Sequence, residues 1–325
     1  MFAAVLGPLA LPATSVTSPG SNIAGDHVRL ERRTAEHRYR IVGNVRLLLV
    51  WKSADDVGGA RITWRGDEQS QSVALLIGSE PRRAPRGVNE WGYIREDASA
   101  DSTKVFGIRT VTDGDSPEDA AARRSARERV VELGVLCSRV SRLDAASRTA
   151  TVRVAGDATY RDLDRVLDVV ERHADWNGRR TARPADVAPG FLTALDLMMR
   201  ISARQSGDTP ACPTLSFVYK DAVYDLIPRR VERISALRTE SGVYENLLRT
   251  DMSVKNRTTG SITGFSITYG SEGSLAGVPV AVKYQPNWWF KVELELDEGQ
   301  DVPPDPAANV SINGRIAQLC LRNAE

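Results

Sequence analysis

The sequence is poor in the residues that nucleophilic or metal-dependent chemistry needs. It has three histidines and three cysteines in 325 residues. His27 and His37 lie in a charged stretch near the start. His173 falls near the end of a predicted helix, where an imidazolium is favoured by the helix C-terminus. None has Cys, Asp or Glu neighbours at metal-ligand spacing, and none accompanies a Ser or Cys nucleophile in a motif. No catalytic residue, metal ligand or cofactor is therefore assigned. Cys137, Cys212 and Cys320 are too far apart for a zinc motif. One disulfide with one free thiol suits an exported chain, and three buried thiols is the other reading. Charge of one sign is also missing: 43 basic residues face 42 acidic ones, so the broad basic face of a nucleic-acid binder is not expected. No apolar run is long enough to span a bilayer as a helix. Gly58-Gly59 is followed by no helix start, so it is not a phosphate cradle.

Residues 1–21 carry an apolar run from Phe2 to Leu11 and then small residues, Ala13, Thr14 and Ser15. This resembles a secretory signal segment, although no Lys or Arg precedes Arg29 and Pro8 and Pro12 interrupt the run. Export to the periplasm or outside is the expectation, and an unstructured tail is the alternative. Residues 22–38 read as a charged, irregular lead-in, and 39–325 as a single domain.

The strongest pattern is Gly277 to Glu298. Trp288, Phe290, Val292, Leu294 and Leu296 alternate with Trp289, Lys291, Glu293 and Glu295, the period of a strand with one apolar and one wet face. Further strand patterns occur at Tyr39–Trp51, Ala60–Trp64, Ser72–Ile77, Trp91–Arg95 and Lys104–Val111, with a turn at Asp55–Gly59 and a long loop over 78–92. Helices are predicted over Ser116–Leu133, Tyr160–His173 and Phe191–Ala203, the first from a Ser-Pro-Glu-Asp start. A hairpin is expected at Val135–Val140 and Thr149–Val154. Strands return from Leu215, with a tight turn at Lys220-Asp221. Strands bracketing a helical middle argue for an α+β fold rather than a parallel βαβ sheet.

The segment from Phe191, including the closing strand with Pro279, Val280, Val282 and Tyr284, resembles a family of exported bacterial proteins of unknown function. The early hairpin at Val57-Gly58-Gly59 and Ala60–Trp64 is similar to one in that family. The family in turn resembles Lol-type lipoprotein-carrier half-barrels. The resemblance implies a large curved antiparallel β-sheet, half-barrel-like, enclosing two or three helices, and it implies no catalytic residues. The loop over 78–92 and the predicted helix at 116–133 depart from it.

These readings lead to a non-catalytic envelope protein that binds a lipid or other apolar molecule between sheet and helices. Its candidate lining is Trp288, Phe290, Val292, Leu294, Leu195 and Met199. Each of these residues also fits an ordinary filled core. The alternative is an envelope scaffold or interaction module, with Arg82, Arg83, Arg86, Trp91 and Tyr93 as a partner or anion surface, since Trp, Tyr and Arg dominate binding hot spots. A carboxylate-based hydrolase is the second alternative and needs two acids converging in one pocket.

Overall fold

The computed structural model describes residues 34–47, 50–66, 70–99, 102–110, 128–139, 144–164, 167, 179–182, 187, 190–204, 213–219, 222–287, 290–297 and 319–320. Its strands are β1 (Thr34–Leu47), β2 (Val50–Gly66), β3 (Ser70–Ser79), β4 (Trp91–Ser99), β5 (Ser102–Thr110), β6 (Glu128–Arg139), β7 (Asp144–Ala155) and β8 (Arg179–Ala182). After helix α1 (Phe191–Ala203) come β9 (Leu215–Tyr219), β10 (Ala222–Arg238), β11 (Val243–Asn256), β12 (Ile262–Gly270), β13 (Pro279–Asn287), β14 (Phe290–Leu296) and β15 (Leu319–Cys320).

All fifteen strands belong to one sheet. Its order is β15-β7-β6-β5-β4-β3-β2-β1-β14-β13-β12-β11-β10-β9, with β8 also on β7. Neighbours pair antiparallel throughout. The two ends of the chain meet in the middle, where β1 pairs with β14: Tyr39 lies opposite Leu296 and Ile41 opposite Leu294. This pairing puts the apolar residues of both strands on one face. Across the same seam the Tyr39 hydroxyl donates to the Pro279 carbonyl (3.0 Å) and the Tyr244 hydroxyl to that of Leu296 (3.3 Å).

The sheet curls. From β5 round to β9 the path runs through eleven strands, and its two ends approach each other. Val105 of β5 and Val218 of β9 share a cluster with Val187, Ile94 and Val223. No ladder joins β5 to β9 among the described residues, so the barrel is incomplete. The sheet runs on past β5 into β6, β7, β8 and β15 as a flange.

Helix α1 lies inside this curl. Leu192 packs with Trp64 and Val73 of β2 and β3. Ala194, Met198 and Met199 pack with Phe217, Leu226, Leu248, Met252, Ile267 and Tyr269 of β9 to β12. The flange has a second core on the opposite face. Alternation along β3 and β4 sends Leu76, Trp91 and Tyr93 to that side, where Phe106, Ile108, Val131 and Val154 join them under Leu163 and Leu167.

The structure corrects the predicted fold class. Among the described residues the molecule is almost entirely β, and an unclosed sheet encloses one long helix, α1, instead of two or three helices. The stretch Ser116–Leu133 ends in β6, which begins at Glu128, and 111–127 lies outside the described residues. In this stretch the start signals for a helix are local, whereas Glu128–Arg139 gains a full ladder on both sides, against β5 and β7. Such tertiary pairing overrides helix propensity. Of Tyr160–His173, a 3-10 turn at Tyr160–Asp162 leads into helical residues Leu163, Asp164 and Leu167. Asp55–Gly59, read as a turn, is the middle of β2; the hairpin it was to close turns between Leu47 and Val50.

Candidate functional site

The interior of the incomplete barrel is the place where polar and apolar groups converge. Strand β4 brings Glu96 inward, where it is 1 % exposed. Its Oε1 accepts from the Leu192 backbone N–H (2.8 Å), and its Oε2 from the Thr193 N–H and hydroxyl (2.7 Å each). A carboxylate from a distant strand thus caps α1, satisfying donors that every helix start leaves free and matching the positive end of its dipole. Gly190, the N-cap, has to be glycine. A Cβ there would lie 2.3 Å from the carboxylate carbon. Burial pushes the Glu96 carboxyl up, and the hydrogen bonds from Thr193, Leu192 and Phe191 only partly offset it.

Along the helix, Leu192, Asp196 and Arg200 follow at four-residue spacing and so share one face. Asp196 is 2 % exposed. Its Oδ1 accepts from the Trp64 indole (3.1 Å) and its Oδ2 from the Gln71 amide (3.1 Å). The Arg200 Nη2 completes the set, 2.7 Å from Asp196 Oδ2. Together, Glu96 and Asp196 fasten one side of α1 to β2, β3 and β4. Every carboxylate oxygen in this arrangement is held by fixed donors. To act as an acid–base pair these groups would first have to release the helix.

The opposite side of α1 is apolar and soft. Met198, Met199 and Met252 share one cluster, with Phe217 and Tyr269 buried beside them and Phe191, Leu195, Tyr224, Phe265 and Val282 at its margin. The chain has four methionines in all, and these are the three beyond Met1. The Phe191 ring tilts against Phe217 (centroids 5.5 Å apart) and meets Phe265 edge-on (6.1 Å).

The six candidate lining residues are divided by the structure. Leu195 and Met199 belong to the methionine cluster. Val292 and Leu294 belong to the neighbouring cluster with Tyr39, Ile41 and Leu296. Val282 packs against both clusters and joins them. Phe290 sits in β14 opposite Val45 and Asn287, and Trp288 lies outside the described residues.

The arginine loop is also divided. Arg82 and Arg83 are exposed, and Arg83 Nη1 pairs with Asp56 at 2.6 Å. Arg86 stands in a 3-10 turn, Pro85–Gly87. Trp91 and Tyr93 are not beside them on the surface, because both are buried in the flange core. Asp162 caps its own turn and Asp164 binds Arg61 (2.8 Å), so these two acids do not converge on one another.

Glu96, Asp196 and Arg200 escaped the sequence reading. The signal for the last two was present: two charged residues in line with Leu192, on a helix whose other faces are apolar. Nothing local marks Glu96, whose partners lie 96 and 97 residues away. Three buried polar atoms have no partner among the described residues: Asn89 Oδ1, Trp91 Nε1 and Arg200 Nε.

No family model and no curated protein matches this chain. Among solved structures, a "putative lipoprotein" from Parabacteroides distasonis is similar at 8 % identity over 82 % of this chain and 96 % of that one, with a TM-score of 0.24. That similarity is too slight to define a shared fold.

Proposed function

We propose that this protein is a non-catalytic cell-envelope binding protein that takes a lipid or other apolar chain between α1 and the concave sheet. The observation that supports the reading is the asymmetric seating of the helix. One side is fixed by polar anchors to β2, β3 and β4, and the other rests on a methionine and aromatic cluster. Methionine side chains are unbranched and polarizable, and they repack around ligands of different shape. An apolar chain entering there displaces no hydrogen bond of the helix. Each buried methylene contributes about 0.8 kcal/mol, so about ten give useful affinity. The expected route to the envelope is the signal-like segment at 1–21.

One observation favours a second reading, an envelope scaffold with a filled core: Met198, Leu248, Ile267 and Tyr269 are buried in one shared cluster. Leu195→Ala and Met199→Ala, both in the methionine cluster, separate the two. Ligand extracted per mole of protein is measured together with unfolding stability. Loss of extractable ligand supports the lining role. A loss of about 2–5 kcal/mol in stability with full retention contradicts it and leaves the scaffold.

A further inference from the structure

We infer that one end of the incomplete barrel docks on an anionic lipid surface through the ends of four hairpins. The inference goes beyond the apolar-ligand reading and does not depend on it.

The pairing register sets the frame. One row of partners crosses the sheet: Met252, Phe265, Tyr284, Val292, Gly43 and Ala54. The turns that join β9 to β10, β11 to β12, β13 to β14 and β1 to β2 all lie to the same side of it. Polar residues are the rule beside such turns, but these strand ends are apolar and aromatic. Leu47 ends β1, Val50 and Trp51 begin β2, and Phe290 begins β14. Tyr219 ends β9 and Ile262 begins β12. Ile262 is 57 % exposed, Tyr219 40 % and Tyr284 37 %. Strand β3 stops at Ser79, opposite Gly58, so the β1–β2 hairpin projects past its neighbour.

Charge separates along the same axis. Past the row, the described residues of these hairpins include Arg46, Lys52, Lys255, Arg257 and Lys291, against the single acid Asp225, which Arg257 pairs at 2.8 Å. At the opposite end the signs are mixed: Glu36, Glu240, Glu245 and Glu272 are exposed among Arg38, Arg65 and Arg238. The exposed Val243 of that end lies between Glu240 and Glu245 in the chain. Trp and Tyr settle at the level of lipid head groups, and Lys and Arg close behind them are drawn to anionic lipid. A protein partner presents a closely packed surface of fixed shape. These apolar residues stand on separate turns, which suits a surface that flows around each of them.

The test is cosedimentation of the full chain with vesicles of phosphatidylcholine alone and of phosphatidylcholine with an equal part of phosphatidylglycerol. The wild-type protein should bind the mixed vesicles more tightly, and added salt should weaken that binding. Trp51→Glu combined with Ile262→Glu places two charges at hairpin ends and should lower partitioning at least about tenfold. Val243→Glu, the same change at the opposite end, should leave it unchanged. If the double variant does not fold, Ile262→Glu alone, at an exposed position, carries the comparison. Failure of the wild-type protein to bind the mixed vesicles overturns the inference, and so does equal binding by the wild-type protein and the hairpin-end variant. A dimer that the hairpin-end variant breaks, in a protein that ignores vesicles, would make a second copy the occupant and overturns it as well.

Discussion

At the scale of single residues, Glu96 carries more of the architecture than any other side chain described. It closes the start of α1 from across the barrel, and Gly190 exists in its present form to let it approach. Glu96→Ala leaves the Leu192 and Thr193 donors buried and unpaired, and should cost about 1–3 kcal/mol for each donor left unsatisfied, read by urea denaturation. Its pH dependence has a definite sign. Burial holds the folded pKa above the ordinary value of 4.5. The stability linked to this group is therefore fully present below 4.5 and lost as pH rises through the folded value. Relative to Glu96→Gln, the wild-type protein should gain stability as pH falls from 7 towards 4.5. A difference that stays flat across this range contradicts the burial argument. Asp225 behaves in the opposite sense. Burial raises its carboxyl, but hydrogen bonds from Arg257 and Ser216 outweigh this and lower it. Its stabilisation is present at neutral pH and lost on acidification, equally in both proteins.

At the scale of elements, sequence periodicity located α1 correctly, with both ends as predicted. Its apolar residues recur at helical spacing and Gly190 precedes it, so local and tertiary preferences agree. The end of the predicted helix, 128–133, shows the converse. Ser, Pro and two acids make a good helix start, but they say nothing of the ladder that Glu128–Arg139 enters. The soft side of α1 yields a pair of contrasting variants. Met199→Ala removes a side chain that is almost fully buried and should cost about 2–5 kcal/mol. Met252→Leu keeps the volume and should cost less than about 1.5 kcal/mol. Equal costs in thermal unfolding would show that the cluster does not adapt. The closing strands were legible for a related reason. Period-two alternation in 290–296 is kept in β14. The glycines of β2 misled because Gly-Gly usually marks a turn. Here Gly59 of β2 and Gly78 of β3 make room for the Tyr160 side chain, whose hydroxyl and Cβ come within 2.6 Å and 2.3 Å of the Cβ atoms they lack.

At the scale of the whole molecule, the sequence showed many strands but not their order. A sheet that joins β1 to β14 and curls β9 back towards β5 is set by long-range pairing, which no local pattern encodes. That order settles one open question about the cysteines. Cys320 lies opposite Thr151 of β7, and Thr151 opposite Glu132 of β6. Cys137 is five residues further along β6, about 17 Å at strand rise. Their backbones are too far apart for a bridge, which needs Cα atoms within about 7 Å. Peptide mapping without reduction should find no Cys137–Cys320 link, and finding one would contradict the register of β15. The central claim concerns the space around α1. It is tested most directly by native mass spectrometry of protein purified without detergent, followed by organic extraction. The account predicts a bound mass that extraction recovers as a lipid or other apolar molecule. A protein that carries no adduct, and that gains none when incubated with fatty acid, would contradict it.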